Sequence, residues 1–333
     1  MSKTLEIQAQ FSAMHVLIVG DVMTDRYYHG KVQRISPEAP VPVVEWQRTE
    51  DRLGGAANVA LNIKALGATA WLFSVVGKDT EGGCFQKLLT ANGLATRGIL
   101  PSANRSTTVK TRIMAGTQQM LRLDAETVAD LDDETQAVFV QKIRDFLDVQ
   151  QVDIIIFQDY NKGVLSLKTI RDVLLEAVRR DIPTAVDPKR TNFLAYRQAT
   201  LFKPNLKEIR DAVPFPIETD AASLAKAAAY LHEQIGNRLT MITLSEKGLF
   251  LMENTKGSSE GKIYPTQPRS ISDVSGAGDT VISVAALGLA AGLSFADVAV
   301  LSNLAGSQVC EKAGVVPVDL GQLLREFEGI TKQ

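Results

Sequence analysis

The chain has 333 residues, 45% hydrophobic and 22% charged, with a formal net charge of −2. That composition suits one large α/β unit plus a smaller element, and it leaves no basic field to recruit nucleic acid or an anionic membrane. Only two cysteines, Cys84 and Cys310, are present. They exclude a disulfide framework and suit a reducing cytosol.

The opening Met1 to Gln10 lacks the apolar run of a signal peptide. His15 to Gly20 reads as a buried parallel strand. Asp21 and Asp25 follow at its carboxyl end, where open α/β sheets bind ligands. Residues 27–46 are aromatic and β-branched, broken by Pro37, Pro40 and Pro42. They predict an edge or lid sheet rather than a central strand. A glycine turn at Gly54 and Gly55 then opens a helix that ends near Leu66. A strand over 71–77 and a helix over 79–93 come next. Residues 106–116 pair with 118–124 as a hairpin. With the earlier segment they predict a lid built from about 26–48 and 105–124, carrying Arg34, Arg112 and Arg122.

From residue 132 the pattern alternates. Helices are expected over 132–147, over 166–180 with Ser166 as cap, from Asn205, and over 221–235. Strands are expected over 153–158, 184–187, 200–204 and 240–244. Alternation of this kind predicts a mostly parallel sheet with helices on both faces. The polar clusters after those strands, among them Asp159 to Gly163 and Pro188 to Arg190, then share one rim.

Late in the chain, Asp273-Val274-Ser275-Gly276-Ala277-Gly278-Asp279-Thr280 leads into an apolar helix that runs to Gly292. A helix with no charged face should be buried. Its first N–H groups then need a partner, and an anion suits both those donors and the helix dipole. Glycines let a bulky oxyanion reach the backbone. Asp279 sits in the first turn, either as a dipole-favoured cap or as a general base beside that hole. No Walker A loop is present, nor does a G-x-G-x-x-G follow the first strand, where Gly20 precedes Asp21-Val22-Met23. His15, His29 and His232 lack metal-ligand spacing.

Gly54-Gly55-Ala56-Ala57-Asn58 and, later, Asp273 to Asp279 resemble, in that order, the two signatures of the PfkB/ribokinase family of sugar kinases. The resemblance covers nearly the whole chain, with Val274 where many members carry Thr. It implies a ribokinase-like α/β fold, a single kinase domain over 1–333, and ATP and Mg²⁺ as nucleotide and metal. Asp279 would be the base and Gly276, Ala277 and Gly278 the anion hole. Asp25, with Asp21, Gly54, Gly55 and Asn58, would hold the sugar. Asn205 and Glu208 resemble the family's N-x-x-E motif, Glu208 acting on magnesium through water. Thr243, Ser245 and Gly248 resemble its phosphate-side turn, with Asn205, Gly276 and Gly278 also on ATP and Asn303 by the adenine. Asp273 and Ala313-Gly314 would shape a monovalent cation site.

Four stretches narrow the likeness: Arg34 to Val43, Asp159 to Gly163, Asp187-Pro188-Lys189, and Asp273 to Thr280. They resemble kinases of D-glycero-β-D-manno-heptose 7-phosphate, which supply ADP-heptose synthesis for lipopolysaccharide. That implies transfer to O1 of a sugar already phosphorylated at its far end. Arg112, Lys162 and Lys189 are expected on the 7-phosphate. The alternatives are a fructose- or tagatose-phosphate kinase of the same family, and a catalytically silent sugar- or nucleotide-binding regulator. The likeness also implies a cytoplasmic homodimer through the lid, with no nucleic-acid or membrane partner. No H-x-G-H motif follows the kinase region, so no nucleotidyltransferase domain is expected.

Overall fold

The computed structural model describes residues 3–254, 261–267, 269–312 and 314–331. A helix, α1 (Lys3–Ala13), leads into strand β1 (His15–Gly20). Two long strands follow, β2 (Val22–Ile35) and β3 (Pro42–Gly55), then α2 (Ala56–Ala65), β4 (Thr69–Gly77), α3 (Thr80–Ala91) and β5 (Ile99–Ser102). A hairpin of β6 (Val109–Ala115) and β7 (Gln118–Ala125) precedes α4 (Asp133–Val149), β8 (Ile154–Gln158), α5 (Leu167–Arg179) and β9 (Thr184–Asp187). The chain continues through β10 (Leu201–Phe202), α6 (Leu206–Ala212), α7 (Ala221–Ile235), β11 (Leu239–Thr243), β12 (Leu249–Glu253) and β13 (Lys262–Tyr264). It closes with α8 (Ala277–Ala290), α9 (Phe295–Cys310) and α10 (Leu320–Thr331).

The main sheet runs β13-β12-β11-β10-β9-β8-β1-β4-β5. From β11 to β5 its pairings are parallel, whereas β12 and β13 close one edge antiparallel. Alternation along β1 shows how the two cores form. Val16 and Ile18 face the layer of α2, α8 and α9, and Leu17 and Val19 face that of α4, α5 and α7. Both sides of each central strand are therefore apolar, as covered parallel sheets require. Helix α8 is buried from Asp279 to Gly288, as its lack of a charged face predicts. No helix among the described residues is long and apolar enough to cross a membrane.

A second sheet, ordered β3-β2-β6-β7, stands apart from the first. It pairs β2 with β6 in parallel, so it is a mixed sheet and not two stacked hairpins. The pair β2 and β3 starts earlier and ends later than the expected 26–48, because β2 begins one residue after β1 and β3 runs directly into α2, whereas β6 is shorter than the expected 106–116. Gly54 and Gly55 accordingly end a strand where a turn was expected. Arg26 of β2 ties this sheet to the body. Its guanidinium meets Asp51 at 2.8 Å and Glu81 of α3 at 2.9 Å. Asp79 caps α3 through the Gly82 N–H and receives the Thr107 N–H just before β6.

Five elements escaped the sequence reading: α1, β5, β12, β13 and α9. Each is short or weakly patterned, and β12 departs from the helix-after-strand alternation as the return arm of a hairpin on β11.

Gly20 ends β1 against its neighbour, and a Cβ there would run into the Gln158 carbonyl oxygen. Gly20→Ala is therefore expected to destabilise the protein by about 2–3 kcal/mol or more, through overpacking between β1 and β8. Urea denaturation of the variant beside the parent checks this, and an unchanged midpoint refutes it.

Candidate active site

The carboxyl ends of β1, β8, β9, β10 and β11 point the same way, as the parallel pairings require. The start of α8 meets them there. Between them lies a cleft of about 670 Å³ that takes in Tyr160, Asp187, Lys203, Gly278, Asp279 and Asn303.

Gly276 is the N-cap of α8, with φ 79° in the left-handed region that glycine adopts without strain. Its Cβ-free face packs on Asn58 and Val315. The Ala277 N–H turns to Val274 O at 3.3 Å, and the Thr280 N–H turns to Gly276 O at 3.0 Å. The N–H groups of Gly278 and Asp279 find no acceptor among the described residues. They make a two-donor hole at the positive end of the helix dipole. Ala277, expected in that hole, gives its N–H to the preceding turn instead.

Asp279 is 3% exposed. Three donors from two elements hold its carboxylate. The Asn58 amide of α2 donates to Oδ2 at 2.8 Å. The Gln158 amide and the Tyr160 phenol, at the end of β8, donate to Oδ1 at 3.0 and 2.7 Å. Burial pushes the Asp279 carboxyl up to about 6 against the pull of Asn58 and Tyr160. Asp187 across the cleft raises it further, and Lys203 lowers it. A carboxylate so placed takes up a proton readily yet is mostly ionised at neutral pH.

Beside the hole lies a buried ion pair. Lys203 Nζ sits 2.9 Å from Asp187 Oδ2, and both groups are 3.8 Å from where a Gly278 Cβ would stand. Lys203 is 3% exposed. The sequence reading missed Lys203, Gln158 and Tyr160 as site residues. For Lys203 the available signal was a lysine at the end of a buried strand, just before a helix cap. Burial raises the Asp187 carboxyl, but Lys189 and Lys203 outweigh it and hold the group below its usual range.

Of the residues expected on the nucleotide, Asn205, Thr243, Ser245, Gly248, Gly276, Gly278 and Asn303 line the cleft together. Asn303 Nδ2 also donates to Tyr264 O at 2.7 Å. Gly248, at φ 94°, lies against Tyr264 O with no room for a side chain. Asn205 and Glu208 form a complete capping box on α6, each side chain bonded to the other's N–H at 2.8 Å. The second Glu208 oxygen accepts from Lys189 at 2.6 Å. Glu208 opens onto a smaller neighbouring pocket of about 300 Å³ instead of the main cleft.

Among the described residues no three His, Cys, Asp or Glu side chains gather into a metal cage. Asp273 Oδ2 accepts from the Gly314 N–H at 3.0 Å, and Ala313 lies outside the described residues.

On the sugar side the placement is mixed. Asp25 is buried, and Arg112 Nη1 meets its Oδ1 at 2.6 Å. Gly54 lies against the Asp25 carboxylate, where any side chain would collide. Gly55, at φ 61°, lies against Asp21 O. Asn58 points at Asp279. Asp21 is not among the residues that line the cleft, and its oxygens accept the N–H groups of Tyr160, Lys162 and Val164 at 2.8, 3.0 and 3.1 Å. The expectation that Asp21 touches sugar is therefore replaced by a structural role, closing the loop that carries Tyr160. Lys162 Nζ pairs with Glu126 at 2.7 Å, and Lys189 pairs with Glu208 and, at 3.5 Å, with Asp187.

Residues 13–319 match the family model described as pfkB family carbohydrate kinase. Among curated relatives, the bifunctional protein HldE of Magnetococcus marinus is 41% identical over 318 residues. Those residues are 95% of this chain and 64% of the relative. The HldE of Geobacter sulfurreducens is 38% identical over 318 residues, 95% of this chain and 63% of its own length. The chain thus spans less than two thirds of these relatives. Among solved structures, phosphofructokinase-2 from Escherichia coli in complex with potassium superposes with a TM-score of 0.78 at 18% identity, covering 95% of this chain and 99% of that one. Arabidopsis thaliana ribokinase complexed with ribose and ATP gives 0.71 at 16%, covering 94% and 98%. The fold is ribokinase-like, and the chain belongs to the pfkB family of carbohydrate kinases, phosphotransferases that act on a sugar hydroxyl.

Proposed function

We propose that this chain phosphorylates D-glycero-β-D-manno-heptose 7-phosphate at O1, with ATP as donor, to give the 1,7-bisphosphate. The observation that carries the chemistry is Asp279, a buried carboxylate beside two free N–H groups at the start of α8. The heptose is supported by the HldE relatives.

In this reading the O1–H bond breaks as Asp279 takes the proton. O1 bonds to the γ-phosphorus, and the bond to the β-phosphate oxygen breaks with its electrons going to ADP. The Gly278 and Asp279 N–H groups stabilise the charge on the transferring oxygens. Lys203 adds positive charge next to that hole, offsetting the repulsion from Asp187. The walls formed by Thr243, Ser245, Gly248 and Asn303 orient the nucleotide. Glu208, acting through water from the neighbouring pocket, is the residue that would help hold magnesium, which would supply charge neutralisation on the phosphates. Asp25 and the Gly54–Gly55 backbone orient the sugar, and Arg112 recruits its distal phosphate. Lys162 and Lys189 join that recruitment by exchanging a carboxylate partner for the phosphate. Asp273 with Gly314 would hold a monovalent cation.

The small sheet serves as the lid of a single kinase domain. Ile35, Val41, Trp46, Leu121 and Leu123 are exposed on it. An apolar sheet surface of this kind calls for cover, so the working form is a homodimer through the lids, in the cytosol. Sedimentation at micromolar concentration should give a dimer that Trp46→Glu dissociates. A monomeric parent protein refutes the arrangement.

Asp279→Asn should retain ATP binding while kcat falls by about three orders of magnitude or more. The carboxyl of Asp279 is raised to about 6, so protonation removes the base as pH falls through that value. Turnover is therefore expected to be full above about pH 7 and to decline below about pH 6. Near-parental turnover of the Asn variant rules out the base assignment.

ADP release with the heptose 7-phosphate, measured beside fructose 6-phosphate, fructose 1-phosphate and ribose, tests the sugar. Preference for the heptose phosphate by about a hundredfold in kcat/KM is expected. Preference for another sugar discards the heptose, and silence with all of them discards the kinase reading.

A further inference from the structure

An ionised carboxylate offers about four acceptor positions, two on each oxygen. In Asp279, Oδ1 receives both the Tyr160 phenol at 2.7 Å and the Gln158 amide at 3.0 Å. Oδ2 receives only the Asn58 amide, at 2.8 Å. One position is left, and it is on Oδ2. Asn58 Nδ2 lies against Gly276, so this oxygen is the one on the side of the Gly-Ala-Gly turn.

We propose that Tyr160 is a positioning residue for the base: together with Gln158 it fills Oδ1, so that only Oδ2 accepts the proton of the attacking hydroxyl. This inference rests on the reading of Asp279 as the base. Gln158 cannot do the work alone. Its amide nitrogen carries two hydrogens, one for Asp279 Oδ1 and the other, at 3.3 Å, for Asp187 Oδ2, so it fills only one of the two positions on Oδ1. The Tyr160 hydroxyl is the donor that takes the second position. A single open lone pair also fixes the direction of attack, because the hydroxyl must approach along it.

The surroundings keep Tyr160 a donor. Burial, then the neighbouring Asp279 and Asp187, raise its phenol far above the ordinary range, so it stays protonated. Lys189 Nζ lies 5.6 Å above the ring. The charged groups facing Asp279 are Asp187 from the end of β9, which opposes its ionised form, and Lys203 after β10, which favours it. The backbone on either side of Tyr160 is fixed as well. Its N–H, and those of Lys162 and Val164, are bound by Asp21.

Two variants test this, with the sugar phosphate that the parent protein turns over best. Tyr160→Phe keeps the ring and removes the donor. A donor to a carboxylate favours its charged form, so removing it should move the acid limb of the kcat profile to higher pH. The loss in kcat should be about tenfold larger near pH 6 than near pH 8.5, with KM for ATP within about twofold of the parent. Placing 3-fluorotyrosine at position 160 keeps the shape and strengthens the donor, so the limb should move to lower pH. This second variant decides the matter where Tyr160→Phe does not fold. A limb that stays in place in the folded variants overturns the proposal, whether or not kcat falls uniformly. Asp279→Asn, measured in parallel, separates the two levels. If it stays active the base assignment has failed; if it is inactive while the limb stays in place, only the role of Tyr160 has failed.

Discussion

Burying one carboxylate at the start of an apolar helix is the constraint on which the rest of this molecule depends. An unpaired buried charge costs several kcal/mol. Here the cost is met by the positive end of α8 and by three side-chain donors on Asp279. Each donor must itself be held. Asn58 is braced by Asn62, whose oxygen accepts from Thr280 and from the Val318 N–H. Gln158 leans on Asp187, Asp187 on Lys203 and Lys189, Lys189 on Glu208, and Glu208 on the cap of α6. A connected series of polar contacts therefore crosses the carboxyl ends of the sheet from α2 to α6. Networks of this kind fix geometry only when their members are satisfied. Among the described residues, the unsatisfied atom in this network is the Gln158 oxygen, buried with no partner.

The same pairings change how the positive rim is understood. Counting Arg112, Lys162 and Lys189 along the chain suggests an open basic field. In the folded protein each already faces a carboxylate: Asp25, Glu126 and Glu208 respectively. A phosphate arriving there meets nearly neutral pairs, not bare cations.

Much of the fold was legible because it rests on periodicity. The strands over 15–20 and 184–187 and the helix over 221–235 match the observed bounds of β1, β9 and α7. Apolar runs and the polar clusters after them are local signals, and parallel order follows from them. The Gly-Ala-Gly-Asp turn was legible for the same reason. What sequence could not show is pairing. Nothing local says that Asn58 turns to Asp279, that Asp21 gives its oxygens to the 160–164 loop, or that Lys203 sits beside Gly278. Asn205 and Glu208 illustrate the limit well. The capping-box spacing and the N-x-x-E spacing are identical, and only the fold shows that the box is formed. The antiparallel edge of β12 and β13 was missed because both strands are short and break the helix-after-strand alternation.

Asp21 also joins the two sheets. It is the single residue between β1 of the main sheet and β2 of the small one. Its carbonyl accepts the Ala56 N–H, where β3 passes into α2, at 2.9 Å. Its side chain grips the loop that carries Tyr160. On this flank the small sheet hangs from one short pivot with no slack linker on either strand. The placement of the small sheet and that of the loop carrying Tyr160 therefore share one anchoring residue, and a substitution at Asp21 disturbs both at once.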